Sequence, residues 1–273
     1  MVTYRAAREL VLVDLAIVGA GKMGSAVALG AIRAGVVERR SLGVYHPEPA
    51  RREALAQELG ATPLDDEGVH QARRVLIAVK PQSFREVAPL IAQRKASFIS
   101  LMAGVPAETI ARRLGSRRIV RAMPNLGASM GVSSTAITGL ADASAEDLEF
   151  AERLFGAVGS VHRLPEALFD AFTGLAGSGP AFVAVVAEAL ADGGVRSGFS
   201  RDEARALTRE VLLATARLLE EMHPSEVKDA VASAGGTAIA GVRSLEQHGA
   251  RFALMDAVEK ASARAAELRG NES

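Results

Sequence analysis

The sequence predicts an α/β protein, a doubly wound parallel sheet followed by an all-helical second half. Three observations carry this. Short β-prone runs alternate with helix-length stretches up to about residue 145, and beyond that point helical periodicity continues almost unbroken. The length of 273 residues also suits two domains, by the prior of roughly 100–200 residues each.

In chain order, Leu15–Val18 is a compact apolar strand, Met23–Ala34 a helix ending at Gly35, Leu42–Tyr45 a second strand, and Ala50–Leu59 a helix stopped by Gly60. Val75–Val79, Phe98–Leu101 and Ile119–Ala122 read as further strands, with Phe84–Gln93 and Ala107–Leu114 as the helices between them. Helices are then expected over Glu146–Phe155, Glu166–Gly174, Pro180–Ala191, Arg201–Glu221, Ser225–Ser233, Thr237–His248 and Phe252–Leu268, with Val161–Leu164 the one strand run among them. The domain boundary falls at Leu164–Pro165. It separates residues 1–164, of which 1–13 are a short N-terminal extension, from a helical domain of residues 165–273.

Composition narrows the function. Lys plus Arg (32) balance Asp plus Glu (32), so no net basic field argues for a nucleic-acid or membrane-surface role. The absence of cysteine excludes disulfides, thiolate metal sites and a cysteine nucleophile, and the scattered histidines suggest no metal site. Residues 1–13 carry Arg5, Arg8 and Glu9 and lack a signal peptide's apolar stretch, and no later run reaches the roughly 18 apolar residues of a membrane span; a cytoplasmic protein is expected. Hydrophobic residues make up 49% of the chain but aromatics only 4%. Such long apolar helices of small residues are more than one helical domain can bury alone, which predicts an obligate dimer.

Gly19-Ala20-Gly21-Lys22-Met23-Gly24 follows the first strand and opens the first helix, the context in which G-x-G-x-x-G marks a Rossmann-type dinucleotide site. Gly19 allows a tight turn, Gly21 lets the backbone approach a pyrophosphate, and Gly24 lets the helix lie close on the sheet. The tip of the second strand reads Tyr45-His46-Pro47 with Arg51 and Arg52 beyond, and no acid occupies it. His46 and one arginine could accommodate a 2′-phosphate, favouring NADPH over NADH; the arginines could equally sit on a solvated helix face. Ala78-Val79-Lys80-Pro81, Leu101-Met102-Ala103 and Arg121-Ala122-Met123-Pro124-Asn125 end later strands, where doubly wound sheets place ligands. A lysine just past an apolar strand, as Lys80 is, is by itself more often a surface residue than a catalyst.

Two glycine-rich segments stand in the helical half. Thr173 to Pro180 suits a close helix crossing. Ser233-Ala234-Gly235-Gly236-Thr237 presents amides at a helix start, which suits a carboxylate.

The ordered set GAGKMG, AVKP, RAMPN, DAFTGLAGSGPAF, ALADGGV and VASAGGTAIAG resembles the pyrroline-5-carboxylate reductases, from about Leu15 to Leu268. The segments Asp170–Phe182 and Val231–Gly241 discriminate, since the dinucleotide fingerprint is widely shared. The resemblance implies a Rossmann domain followed by an all-helical dimerisation domain, substrate held against the nicotinamide, and homodimers that assemble further, commonly as decamers of five dimers. The implied reaction reduces 1-pyrroline-5-carboxylate to L-proline with NADPH or NADH, the last step of proline biosynthesis. It further implies that Val18, Gly19, Ala20, Gly21, Lys22 and Met23 meet the pyrophosphate and that His46 and Asp65 lie at the adenosine ribose. Ala78, Val79, Lys80, Pro81, Leu101, Met102 and Ala103 would hold the rest of the dinucleotide. Glu166, Ser233, Gly235, Gly236, Thr237 and Ala238 would face the substrate, with Thr237 the catalytic side chain. Three positions depart from the family: Ala234 stands where a proline is usual, Ala238 where a final threonine is usual, and Asp65 where an asparagine is common.

Such a reaction needs little acid–base machinery, because a protonated imine is already electrophilic. Two other readings stay open. A β-hydroxyacid dehydrogenase would need a lysine-centred site in the helical half, where only Lys228 and Lys260 occur. A non-catalytic dinucleotide sensor would tolerate Ala238.

Overall fold

The computed structural model describes residues 13–92 and 96–270. Most of the expected N-terminal extension lies outside the described residues, as does Gln93; Val13, its last residue, is fully buried. Eight strands form one sheet: β1 (Leu15–Val18), β2 (Leu42–Tyr45), β3 (Thr62–Leu64), β4 (Arg74–Ile77), β5 (Ser97–Ser100), β6 (Ile119–Met123), β7 (Ser133–Gly139) and β8 (Gly159–Arg163), in the order β3-β2-β1-β4-β5-β6-β7-β8. The reversal of strand order at β1 and β4 creates the crevice in which doubly wound sheets bind ligands.

The sheet corrects the sequence reading in two ways. β7 runs antiparallel to β6, with Met123 opposite Ala136, so the sheet is parallel only from β3 to β6 and again between β7 and β8. Neither β3 nor β7 was expected. β3 is a three-residue edge strand containing Pro63, and β7 reads Ser-Ser-Thr-Ala-Ile-Thr-Gly, too polar to stand out as an apolar run.

Six helices cover the sheet: α1 (Lys22–Arg33), α2 (Pro49–Leu59), α3 (Asp66–His70), α4 (Pro81–Ile91), α5 (Ala107–Leu114) and α6 (Ala145–Gly156). Alternation along β1 explains the two cores. Ala16 and Val18 join Phe84, Ile110 and Leu114 on one face, and Leu15 and Ile17 join Val27, Leu154 and Phe155 on the other.

The single helix expected over Glu166–Gly174 is instead a 3-10 turn (Glu166–Leu168), a short helix α7 (Phe169–Phe172) and a π-helical turn (Thr173–Gly177). After these come α8 (Gly179–Arg196), α9 (Arg201–Glu221), α10 (Pro224–Val231), α11 (Thr237–Gln247) and α12 (Ala250–Gly270). Packing divides the chain into two compact units, Ser178–Ala261 and the remainder. Within Ser178–Ala261 only Ala191, Ala204 and Thr208 are buried. One chain therefore gives that unit almost no core of its own. Taken as one stretch, the 31 residues Glu166–Arg196 have a mean hydropathy of 1.5 over their most apolar window and are, by length and composition, apolar enough to cross a membrane. This amends the expectation that no such run exists. Alanine, valine, leucine and phenylalanine raise the mean here, and the interspersed glycines break the run of apolar side chains.

Candidate active site

β1 ends where Gly19 adopts a left-handed conformation, φ +80°. A Cβ there would come within 2.4 Å of Val79 Cγ1, so the turn and the end of β4 are packed against each other. Gly24 is similarly tight, 2.9 Å from Ala78 Cβ. Gly21 differs: its φ is −75°, and a Cβ would meet no protein atom within 4 Å. Its missing side chain serves no internal packing. It leaves the backbone open just where α1 begins, ahead of the first helical bond, from Ser25 N to Gly21 O at 2.9 Å. The amides of Lys22 and Met23 point out of a helix start with no acidic residue in its first turn and no side-chain cap. That arrangement suits a pyrophosphate.

These residues open onto a cleft of about 650 Å³ that gathers Gly19, Ala20, Gly21, His46, Arg51, Ala78, Val79 and Lys80. Ala78 is placed by its amide, which donates to Val18 O at 2.8 Å; Lys80 is the N-cap of α4, and Pro81 opens that helix. Val18 itself is fully buried, and only its backbone is available. A dinucleotide therefore finds here a turn without side chains, free helix-start amides and a rim of His46, Arg51 and Lys80. The residues fit the cofactor.

At the end of β2, Tyr45 turns into the core and donates to Asp66 Oδ1 at 2.6 Å. Burial and this carboxylate push its phenol well above the usual range. His46 Nδ1 accepts from Glu48 N at 3.0 Å, which in the neutral ring leaves the proton on Nε2. Of the two arginines, Arg51 lines the cleft, and it pairs with Glu48 at 3.0 Å. Glu48 also lines the cleft, together with Ser83 and Glu86 from α4. Sequence reasoning missed all three; the i, i+3 spacing of Glu48 and Arg51 was the available signal for the first.

Other expected cofactor contacts sit differently. Asp65 is the N-cap of α3, its carboxylate accepting from Gly68 N at 2.9 Å. Met102 is buried in the core, so it can offer only backbone, while Leu101 is half-buried and Ala103 exposed after β5. Glu166 Oε1 accepts from Ala107 N at 2.9 Å and from Arg121 Nη1 at 2.6 Å. Arg121 is buried and lies 4.8 Å from the Phe169 ring centroid. Asn125 Nδ2 donates to Ala176 O at 2.9 Å, so the ends of β6 and the π-helical turn are tied together.

In the helical unit, Gly235 has φ +70° and Gly236 is the N-cap of α11, its amide donating to Ser233 O at 3.0 Å. A Cβ on Gly236 would lie 2.4 Å from Ser233 Oγ. Thr237 occupies the first turn with its side chain exposed, no side chain caps the helix, and Ala238 is half-buried. The loop thus presents backbone amides and the exposed hydroxyls of Ser233 and Thr237, a set that can hold a carboxylate. A separate cleft of about 530 Å³ between α8 and α9, bordered by Arg201, Arg205 and Arg209, contains none of the expected site residues. Among the described residues no three His, Asp or Glu side chains form a metal-binding group.

Comparison with known proteins finds two family matches along the chain. Residues 166–268 match the pyrroline-5-carboxylate reductase dimerisation family, and residues 14–104 match the family described as NADP oxidoreductase, coenzyme F420-dependent. The pyrroline-5-carboxylate reductase of Thermus thermophilus is 49% identical over 94% of this chain and 99% of its own, and that of Pisum sativum 38% identical over 93% and 95%. The crystal structure of the Plasmodium falciparum pyrroline carboxylate reductase with NADP bound superposes with a TM-score of 0.84 at 25% identity, covering 96% of this chain and all of that one.

Proposed function

The chain belongs to the pyrroline-5-carboxylate reductase family and reduces 1-pyrroline-5-carboxylate to L-proline with NAD(P)H, the last step of proline biosynthesis; from that premise we propose how its residues divide the work. The bound nicotinamide supplies the hydride. The single observation that carries the cofactor assignment is Gly21, whose side chain is absent although nothing in the protein would obstruct it.

Val18, Gly19 and Ala20 shape the turn, while Gly21, Lys22 and Met23 offer backbone to the pyrophosphate. His46 and Arg51 take the adenosine end, with Arg51 exchanging Glu48 for a 2′-phosphate, so that NADPH is preferred. Ala78, Val79, Lys80 and Pro81 line the wall, and Leu101, Met102 and Ala103 contribute backbone only. Asp65 serves α3 rather than the ribose. The loop Ser233, Gly235, Gly236, Thr237 and Ala238 receives the substrate carboxylate, and Thr237 supplies a hydroxyl at the start of α11 that Ala238 cannot. Glu166 acts through Arg121 and the α5 amide, as a positioning residue.

The functional boundary lies at Leu164–Pro165, supported by the match that begins at residue 166. The protein works in the cytoplasm on a small-molecule substrate, without nucleic acid or membrane, as a homodimer that assembles further into a decamer of five dimers. The exposed apolar helices of the second half are subunit contacts, not membrane spans. Steady-state oxidation of NADPH and NADH with 1-pyrroline-5-carboxylate tests the whole reading: turnover with a lower KM for NADPH is expected, and a lower KM for NADH would overturn the cofactor preference.

A further inference from the structure

Glu48 stands between Pro47 and Pro49, just past the end of β2, and is the first acid after that strand. Pro49 opens α2 and keeps Glu48 extended, at φ −81° and ψ 116°. Hydrogen bonds hold its backbone on both sides: Glu48 N donates to His46 Nδ1 at 3.0 Å, and Glu48 O accepts from Arg52 N at 3.1 Å. The carboxylate is thus presented from a fixed backbone.

Its side chain serves the cleft and not the helix. Glu48 occupies the N-cap of α2, but its side chain makes no capping bond. The carboxylate instead meets Arg51 Nε at 3.0 Å, and both residues line the cleft that holds Gly19 and Gly21. In doubly wound sheets an acid past the second strand takes the adenosine ribose hydroxyls. Glu86, the other carboxylate of the cleft, comes from α4, after β4, and so from a different strand end. A carboxylate has two oxygens and accepts from more than one donor, so Glu48 can receive a ribose hydroxyl while it keeps Arg51. A 2′-phosphate in the same place brings like charge against Glu48 and opposite charge to Arg51.

We propose that Glu48 is a specificity-determining residue of the cofactor cleft: it binds the free ribose hydroxyls of NADH and opposes the 2′-phosphate of NADPH, the reverse of Arg51. The proposal rests on the cofactor assignment and gives the one cleft a determinant for each nucleotide. The sign of one substitution separates this role from general electrostatics. Both cofactors are anionic, so neutralising a carboxylate that only faced them would tighten both, whereas neutralising one bonded to the ribose weakens NADH alone. Calorimetric titration of the full chain with NADH and with NADPH tests it, for wild type, Glu48→Gln and, as a control for the same charge at an exposed position of α2, Glu53→Gln. Glu48→Gln should raise Kd for NADH at least about fivefold, since a bond to a charged acceptor is lost, and leave Kd for NADPH unchanged or lower. Glu53→Gln should treat both cofactors alike. The Glu48 side chain is exposed and makes no capping bond, so folding is expected to survive, and Glu48→Ala repeats the test should Glu48→Gln fail to fold. A wild type that binds neither cofactor overturns the cofactor assignment and this role with it. A wild type that binds NADPH alone, a Glu48→Gln variant that shifts both cofactors in one direction or neither, or a control that reproduces the split overturns the role of Glu48 alone.

Discussion

Glu166 and Arg121 form a half-buried ion pair, Oε1 to Nη1 at 2.6 Å, in which the same carboxylate oxygen also caps α5 through Ala107 N. A buried guanidinium that loses its partner is costly, because the charge has no water to replace it. Glu166→Gln keeps the shape and weakens two charge-assisted bonds. It should lower stability by about 1.5–3 kcal/mol in urea unfolding. A variant of unchanged stability with a raised KM for 1-pyrroline-5-carboxylate would return Glu166 to direct substrate contact.

The fingerprint glycines should separate by what surrounds them. Gly21→Ala places a methyl in open space at an ordinary φ, so the fold should stand while cofactor binding weakens, by about tenfold or more. Gly19→Ala meets Val79 and needs a left-handed backbone, so it should cost about 1–3 kcal/mol of stability first. Thermal melts and NADPH titrations of both variants check this, and a destabilised Gly21→Ala would remove the case for a ligand at that position.

What could be read in the sequence follows physical signal strength. β1 and β2 were legible because buried parallel strands are continuous runs with few polar side chains, and the helices after them because Gly35 and Gly60 end them. β7 was not, because five of its seven residues are Ser, Thr or Gly at positions where a run of Val or Ile would have announced a strand. The glycine turn and the strand ends at Lys80 and His46 were legible from local motifs. The Glu166–Arg121 and Asn125–Ala176 links join residues 45 and 51 positions apart, a distance over which motif reading carries no pairing information. Asp65 shows the converse: an acid expected at the ribose also caps its own helix, a role its place before α3 could have suggested.

Arg51 decides between cofactors only if it can leave Glu48, to which it is bound in an exposed pair. Exposed pairs are worth about 0–1 kcal/mol, so a 2′-phosphate can displace Glu48 at little cost. Arg51→Ala should therefore raise KM for NADPH about five- to twentyfold and leave KM for NADH nearly unchanged. Equal effects on both would take Arg51 out of phosphate recognition.

Asp147 ties α6 to β6. Its buried carboxylate closes the capping box with Ser144 and receives Arg118 at 2.7 and 3.1 Å. Burial pushes its pKa up, but the bonds from Arg118 and Ser144 outweigh this and hold it below the usual aspartate value. The folded state thus binds this proton more weakly than the unfolded chain does. Its stabilisation is complete above the unfolded value of about 3.9 and disappears as pH falls through the depressed folded value. Asp147→Asn should lose about 1.5–3 kcal/mol at pH 7 and show a shallower fall in stability below about pH 4. Urea unfolding at pH 3, 4 and 7 checks the sign, and parallel curves for both proteins would place the acid sensitivity elsewhere.

Thr237 stands one residue after the N-cap Gly236 and beside Ala238, so it is the hydroxyl that the first turn of α11 offers to the substrate loop. A capping role would require its oxygen to accept an amide of the first turn, yet the cap is Gly236 and no side-chain cap bond forms. Thr237→Val preserves the side-chain outline and removes only the hydroxyl. Because the side chain is exposed, stability should change by less than about 0.5 kcal/mol. Catalysis should respond more. A hydrogen bond to a neutral group is worth about 0.5–1.5 kcal/mol and one to a charged group about 1.5–3, so kcat/KM should fall between about twofold and a hundredfold. A carboxylate contact would appear chiefly in KM, while assistance at the imine nitrogen, felt in the transition state, would appear in kcat. Complete inactivation is not expected, since hydride transfer to a protonated imine needs no obligatory base and the first-turn amides of α11, which no side chain caps, remain. Thr237→Ser, which restores the oxygen, should recover most of the loss. Should Thr237→Val keep wild-type kinetics with both cofactors, the loop would bind its substrate through backbone amides alone.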